Sequence, residues 1–213
     1  DFFKWLPPGQ AGTWESSKMK FTLRFGDVEC EMVITKEQLA DLPVEVFGGE
    51  IIVVDQLEQV DAACAVLKEA DVIGFDTETE PAFKKGVSHK VALLQLSTDD
   101  TCFLFRINKI GVPDAVMDIL NRKDIRVIGL SLKDDFAALR KVGPFNPNNF
   151  IEIQALAKCY GIEDMSLQKI HGILFRKRVN KGQRLSNWEA DELTEAQQMY
   201  AAIEAWSCLK IYR

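Results

Sequence analysis

Val72-Ile73-Gly74-Phe75-Asp76-Thr77-Glu78-Thr79-Glu80 is an apolar run that ends abruptly in carboxylates. Its first four residues suit a buried strand, and the acids that follow are spaced two apart. Side chains at i and i+2 of a strand share a face, so Asp76 and Glu78 aim at one point. Two carboxylates aimed together repel each other unless a proton or a cation lies between them. Hard oxygen donors at a strand's end suit Mg²⁺ or Mn²⁺. Such a site would need further acids from elsewhere in the chain.

Working outward, Ile51 to Val54 reads as a strand, and Asp55 with Glu58 as a capping-box start for a helix through Val60, Ala63, Cys64 and Leu67. Downstream of the acidic strand, Val91 to Ser97 and Cys102 to Ile107 flank Thr98-Asp99-Asp100-Thr101, a hairpin pattern. Three strands joined by short turns make an antiparallel half-sheet. The pattern then changes. Pro113 at a first helical position opens a helix from Asp114 to Leu120. A strand from Ile125 to Leu130, a helix from Asp134 to Val142 and a strand near Phe150 to Ile153 follow. Helices are predicted at Ala155 to Tyr160, stopped by Gly161, from Ser166 to Leu174, and from the Thr194/Gln197 capping box to about Tyr212. Antiparallel strands followed by αβ units predict an α/β domain with a mixed five-stranded sheet and helices on both faces. Upstream, Phe21, Leu23 and Phe25 alternate with polar residues, Gly26-Asp27 suits a tight turn, and Cys30, Met32 and Ile34 resume the alternation. That is a β-hairpin signal. The expected organisation is an N-terminal appendage over residues 1–45 and a main domain over 46–213.

With 213 residues, 47% of them hydrophobic, the chain can bury a full core. No stretch approaches the roughly 18 apolar residues needed to span a bilayer, so no membrane association is expected. Asp1-Phe2-Phe3-Lys4-Trp5 has neither the basic nor the long apolar region of a signal peptide. The five cysteines are odd in number and scattered, with no CxxC pair, which argues against a zinc site or a disulfide framework and for a reducing, cytoplasmic setting. A net charge of −6 argues against broad, nonspecific nucleic-acid binding. It leaves room for a locally basic groove, and Arg176, Lys177, Arg178, Lys181 and Arg184 form one dense positive cluster.

Two further sets of residues complete the pattern. Tyr200 and Glu204 are spaced i, i+4 on the last helix and share a face. Asp134 and Asp135 stand in a first helical turn, where the helix dipole favours an acid. In this order the pieces resemble the DEDD superfamily of 3′→5′ exonucleases, DnaQ-like proteins with a ribonuclease H-like fold. Phe75-Asp76-Thr77-Glu78 looks like the first motif, Gly129-Leu130-Ser131-Leu132-Lys133-Asp134-Asp135 like the second, and Tyr200-Ala201-Ala202-Ile203-Glu204 like the third. The tyrosine points to the DEDDy branch, near ribonuclease D and the Werner-type exonuclease domains. Gln183-Arg184-Leu185-Ser186-Asn187-Trp188, with Leu193-Thr194 and Gln197, is also similar to that branch. The resemblance covers roughly residues 50 to 213.

The resemblance implies a three-layer ribonuclease H-like fold and hydrolysis by two Mg²⁺ or Mn²⁺ ions about 3.5–4 Å apart. Asp76 would bridge both ions, Glu78 and Glu204 would complete the first, and Asp135, rather than Asp134, would hold the second. Tyr200 would orient and help deprotonate the attacking water. Thr77, Trp188 and the basic cluster from Arg176 to Arg184 would contact the substrate, a single-stranded 3′ end of DNA or RNA. In-line attack on the terminal phosphodiester would release a nucleoside 5′-monophosphate. One position departs from the pattern: Glu204 stands where the family normally has Asp, and reaches one methylene further.

Plainer readings stand beside these. Asp76 and Glu78 can be an exposed strand end, Asp135 a helix cap, Tyr200 and Trp188 packing residues, and the basic loop merely solvated. His89 and His171 are expected to be structural or on the surface, and Phe83, Leu93 and Leu94 to pack in the core or on the sheet. The competing function is an exonuclease-fold domain without catalysis that binds nucleic acid or a protein partner. A haloacid-dehalogenase-type phosphatase needs a second Asp two residues on, where this chain has Glu78.

Overall fold

The structure, a computed structural model, describes residues 22–25 and 28–213. The expected loop at Leu6 to Gly9, the start of the hairpin alternation at Phe21 and the turn pair Gly26-Asp27 lie outside the described residues. The chain divides into two compact units, the second comprising Val46–Ile153 and Asn180–Arg213. The first takes in the described residues up to Glu45 together with Gln154–Val179.

In chain order the elements are strands β1 (Thr22–Phe25) and β2 (Val28–Glu31), helix α1 (Lys36–Ala40), β3 (Glu50–Val54), a 3₁₀ turn (Leu57–Gln59) and α2 (Val60–Lys68). Then come β4 (Val72–Thr79), β5 (Val91–Ser97), β6 (Thr101–Phe105), α3 (Ile107–Ile110), α4 (Asp114–Asn121) and β7 (Arg126–Gly129). The last are α5 (Leu132–Arg140), β8 (Phe150–Glu152), α6 (Ile153–Cys159), α7 (Leu167–Phe175) and α8 (Glu195–Tyr212). Among the described residues no helix is long and apolar enough to cross a membrane.

In the second unit the sheet has six strands in the order β3-β6-β5-β4-β7-β8, not the five expected. Every strand-like stretch joins it: β3 pairs parallel with β6 at one edge, and the three-residue β8 pairs parallel with β7 at the other. The β4–β5–β6 meander is antiparallel, and β7 and β8 extend it parallel to β4. Alternation assigns the faces. Ile73 and Phe75 of β4 join Leu94, Leu96, Phe103 and Phe105 in a core with α2, α4 and α5. Gly74, Asp76 and Glu78 point the other way, towards α8. There a β-carbon on Gly74 would overlap the Ala205 carbonyl oxygen, and the fully buried Gln95 donates to Ala201 O at 3.4 Å. Glycine at 74 thus lets the helix lie directly on the strand.

Local chemistry sets the helix starts. Thr194 accepts from Gln197 N at 3.2 Å while the Gln197 carboxamide accepts from Thr194 N at 2.9 Å, the expected capping box of α8. Ser166 accepts from Lys169 N and caps α7. The box expected at Asp55/Glu58 is displaced by one residue. Gln59 accepts from both Asp55 N and Gln56 N at 3.0 Å, because its carboxamide is an acceptor long enough to reach back to two amides. Pro113 is the N-cap of α4 and not its first helical residue.

In the first unit, β1 and β2 pair antiparallel from Thr22↔Glu31 to Phe25↔Val28. Gly172 of α7 lies against Ile34, Leu39 and Leu42. His171 and Glu45, both fully buried, are paired at 2.8 Å, so the histidine is structural as expected.

Candidate active site

β4 is fully buried from Val72 to Phe75 and emerges from the core at Asp76. A β-bulge between Glu78 and Thr79 follows, as strands often show beside active sites. Asp76 and Glu78 therefore stand at the strand's carboxyl end on the face that α8 covers. α8 contributes Tyr200 and Glu204 one turn apart, and the Tyr200 hydroxyl is hydrogen-bonded to Glu204. From the opposite face, Thr77 donates its hydroxyl to Asp135 in the first turn of α5. That bond ties the second acidic motif to the strand carrying the first.

Electrostatics show how closely these acids share one environment. Burial is the largest cause holding the Asp76 carboxyl well above the usual range, followed by the charges of Glu78, Glu204 and Asp135. Glu78 is pushed up to about 9, first by burial and then by Glu204 and Asp135. Asp135 rises to about 6 through burial, opposed by the Thr77 hydrogen bond. Burial, Glu204 and the other acids also drive the Tyr200 hydroxyl upward, so it keeps its proton and donates. Every charged neighbour acting on Asp76 and Glu78 is another acid.

Such a cluster calls for protons or for a bound cation. Among the described residues no three His, Cys, Asp or Glu side chains are gathered tightly enough to grip an ion. The donor set nonetheless fits a hard divalent ion, being all oxygen, partly buried and, at Asp76 and Glu78, acted on by other acids. Across the ladder from Asp76, the buried Gln95 also leaves its carboxamide oxygen without a protein partner.

The expected substrate contacts fare differently. Trp188 is fully buried: it is 0% accessible and stacks on the Tyr200 ring at 6.0 Å between centroids. From there it supports the tyrosine and cannot stack on a base, a correction to the expected contact. Thr77 is likewise engaged with Asp135. The basic cluster is divided between the two units. In the first, Lys177 lies 3.5 Å from Glu45 and Arg178 donates to Leu42 O at 3.0 Å, with Arg176 at the α7 C-cap. Lys181 and Arg184 belong to the second. Phe83, expected in the core or on the sheet, is 79% exposed on the segment that leaves β4, whereas Leu93 and Leu94 are fully buried as expected. His89 lies on the surface 3.5 Å from Glu189. A cavity of about 720 Å³ opens beside Val91, the residue paired with Thr79, and its lining includes Ser88, Lys90, Asn108 and Lys141.

Residues 51–213 match the profile of the 3′-5′ exonuclease domain. The chain is 33% identical over 155 residues to the bifunctional 3′-5′ exonuclease/ATP-dependent helicase WRN of Mus musculus, covering 69% of this chain and 11% of that one. It is 27% identical over 164 residues to a 3′-5′ exonuclease of Drosophila virilis, covering 68% of this chain and 47% of that one. The chain thus spans less than half the length of either relative. Among solved structures, the Aedes aegypti Nibbler EXO domain superposes with a TM-score of 0.72 at 21% identity, over 79% of this chain and 89% of that one. Trypanosoma brucei RNase D in complex with RNA U12 superposes with a TM-score of 0.68 at 18% identity, over 78% and 62%. At these identities the structures establish a shared ribonuclease H-like fold.

Proposed function

The chain belongs to the 3′-5′ exonuclease family, and on that premise we propose that it is a DEDDy-type, divalent-metal-dependent nuclease that trims single-stranded 3′ ends of DNA or RNA. What supports the reading most is the mutual repulsion of Asp76, Glu78, Asp135 and Glu204, drawn from β4, α5 and α8, with only other acids acting on the strand pair. These four carboxylates would hold two Mg²⁺ or Mn²⁺ ions. Bound there, the ions would acidify a water and neutralise charge on the scissile phosphate and the leaving 3′ oxygen.

The protein's own groups do the rest. Without bound ions Tyr200 keeps its proton; with the ions in place its part would be to orient the attacking water by hydrogen bonding. Glu204, longer than the Asp of the family pattern, accepts that tyrosine's hydrogen bond. Trp188 holds the Tyr200 ring from behind. Lys90 and Lys141 would meet phosphates of the strand behind its 3′ terminus. The RNA held by the structurally similar RNase D supports nucleic acid as the substrate class. The buried thiols of Cys64, Cys102 and Cys208 suit a reducing compartment such as the cytoplasm.

The test uses single-stranded DNA and RNA oligonucleotides labelled at either end, with Mg²⁺, Mn²⁺ or a chelator. Progressive shortening from the 3′ end that needs a divalent ion, and that Asp76→Ala abolishes, is the expected result. Binding without degradation in every metal would overturn the reading in favour of an inactive scaffold.

A further inference from the structure

Glu152, the last residue of β8, accepts two backbone hydrogen bonds from the start of α5. Ser131 N donates to its Oε1 and Leu132 N to its Oε2, both at 2.8 Å. A helix start normally finds this acceptor in its own N-cap side chain. Here the N-cap Ser131 is left-handed, with φ 56° and ψ 49°, and its hydroxyl makes no capping bond. That conformation disfavours a residue with a β-carbon and persists only where surroundings enforce it. The enforcing group is a carboxylate from a neighbouring strand, whose negative charge also suits a helix N-terminus.

We propose that Glu152 is a positioning residue that sets where Asp135 enters the acid cluster. Two bonds from one carboxylate to consecutive amides fix both the tilt and the rotation of the first turn. Asp135 lies in that turn, three residues after Leu132. Its side chain is restrained from the other side by the Thr77 hydroxyl. Glu152 is near enough for its charge to be felt by Asp135. Together, Glu152 from β8 and Thr77 from β4 leave the Asp135 carboxylate little freedom, the kind of support that metal-site acids depend on.

The inference rests on the metal-dependent reading above, and its test separates the two. Mn²⁺ is titrated calorimetrically into metal-free protein, with no substrate present, for the native chain, Glu152→Gln, Asp135→Asn and the double variant. Glu152→Gln should weaken Mn²⁺ binding about 10- to 100-fold, and Glu152→Asp should fall between it and the native chain. In the Asp135→Asn background, Glu152→Gln should change affinity by less than about twofold, because the group through which it acts is already gone. An equal loss in both backgrounds, which a merely structural role would produce, overturns the inference, as does unchanged affinity in Glu152→Gln. A native chain that binds no Mn²⁺ overturns the metal reading itself. Should Glu152→Gln fail to fold, the series is run in Ser131→Gly, since glycine adopts the left-handed conformation freely.

Discussion

Replacing Glu78 with Gln should make the metal-free protein more stable while destroying its function. In the folded chain Glu78 holds its proton up to about pH 9, first because it is buried and then because Glu204 and Asp135 repel its charge. The unfolded chain releases that proton near its ordinary value of 4.5. With the folded value raised, the associated stability is complete below pH 4.5 and is lost as the pH climbs towards 9. Each pH unit in that window costs about 1.4 kcal/mol, so at pH 7.5 the ceiling is about 4 kcal/mol. Water entering the mouth of the site screens much of this, leaving an expected gain of about 1–2 kcal/mol for Glu78→Gln. For a chain of this length that is a rise of roughly 2–8 °C in Tm. The assay is thermal unfolding followed by circular dichroism, in chelator and in saturating Mn²⁺, at pH 4.5 and 7.5. In chelator the variant should melt higher at pH 7.5 and level with the native chain at pH 4.5. In Mn²⁺ the order should invert, because only the native chain gains binding energy. A variant melting at or below the native chain in chelator at pH 7.5 would refute the picture of repelling, desolvated acids.

Tyr200→Phe keeps the ring against Trp188 and removes only the hydroxyl, so Tm should move by no more than a few degrees while 3′ shortening slows by about 100-fold or more; an unimpaired rate would remove Tyr200 from the mechanism. Gly74→Ala places a methyl on the Ala205 carbonyl oxygen, which belongs to the helix backbone and cannot turn aside. Overpacking of this kind costs about 1–3 kcal/mol. Melting should drop, and activity should fall further than the drop explains because Tyr200 and Glu204 ride on the displaced helix; native-like melting and turnover would show that the contact yields.

Much of this site was legible in the sequence because its signals are local. A period of two put Asp76 and Glu78 on one face, a spacing of four did the same for Tyr200 and Glu204, and the Thr194/Gln197 box marked where α8 begins. These follow from backbone geometry within a few residues and hold whatever the element packs against. What needed the tertiary structure is the choice of partner across the chain. Thr77 finds Asp135 at a separation of 58 residues, and Glu152 finds the start of α5 from 20 and 21 residues away. Phe83 reads as core by composition and lies in solvent, while Trp188 and two of the basic residues are claimed by protein partners. Hydrophobicity and charge state what a side chain can do, and only the crossing of α8 and α5 over the carboxyl end of β4 decides which of those capacities are used.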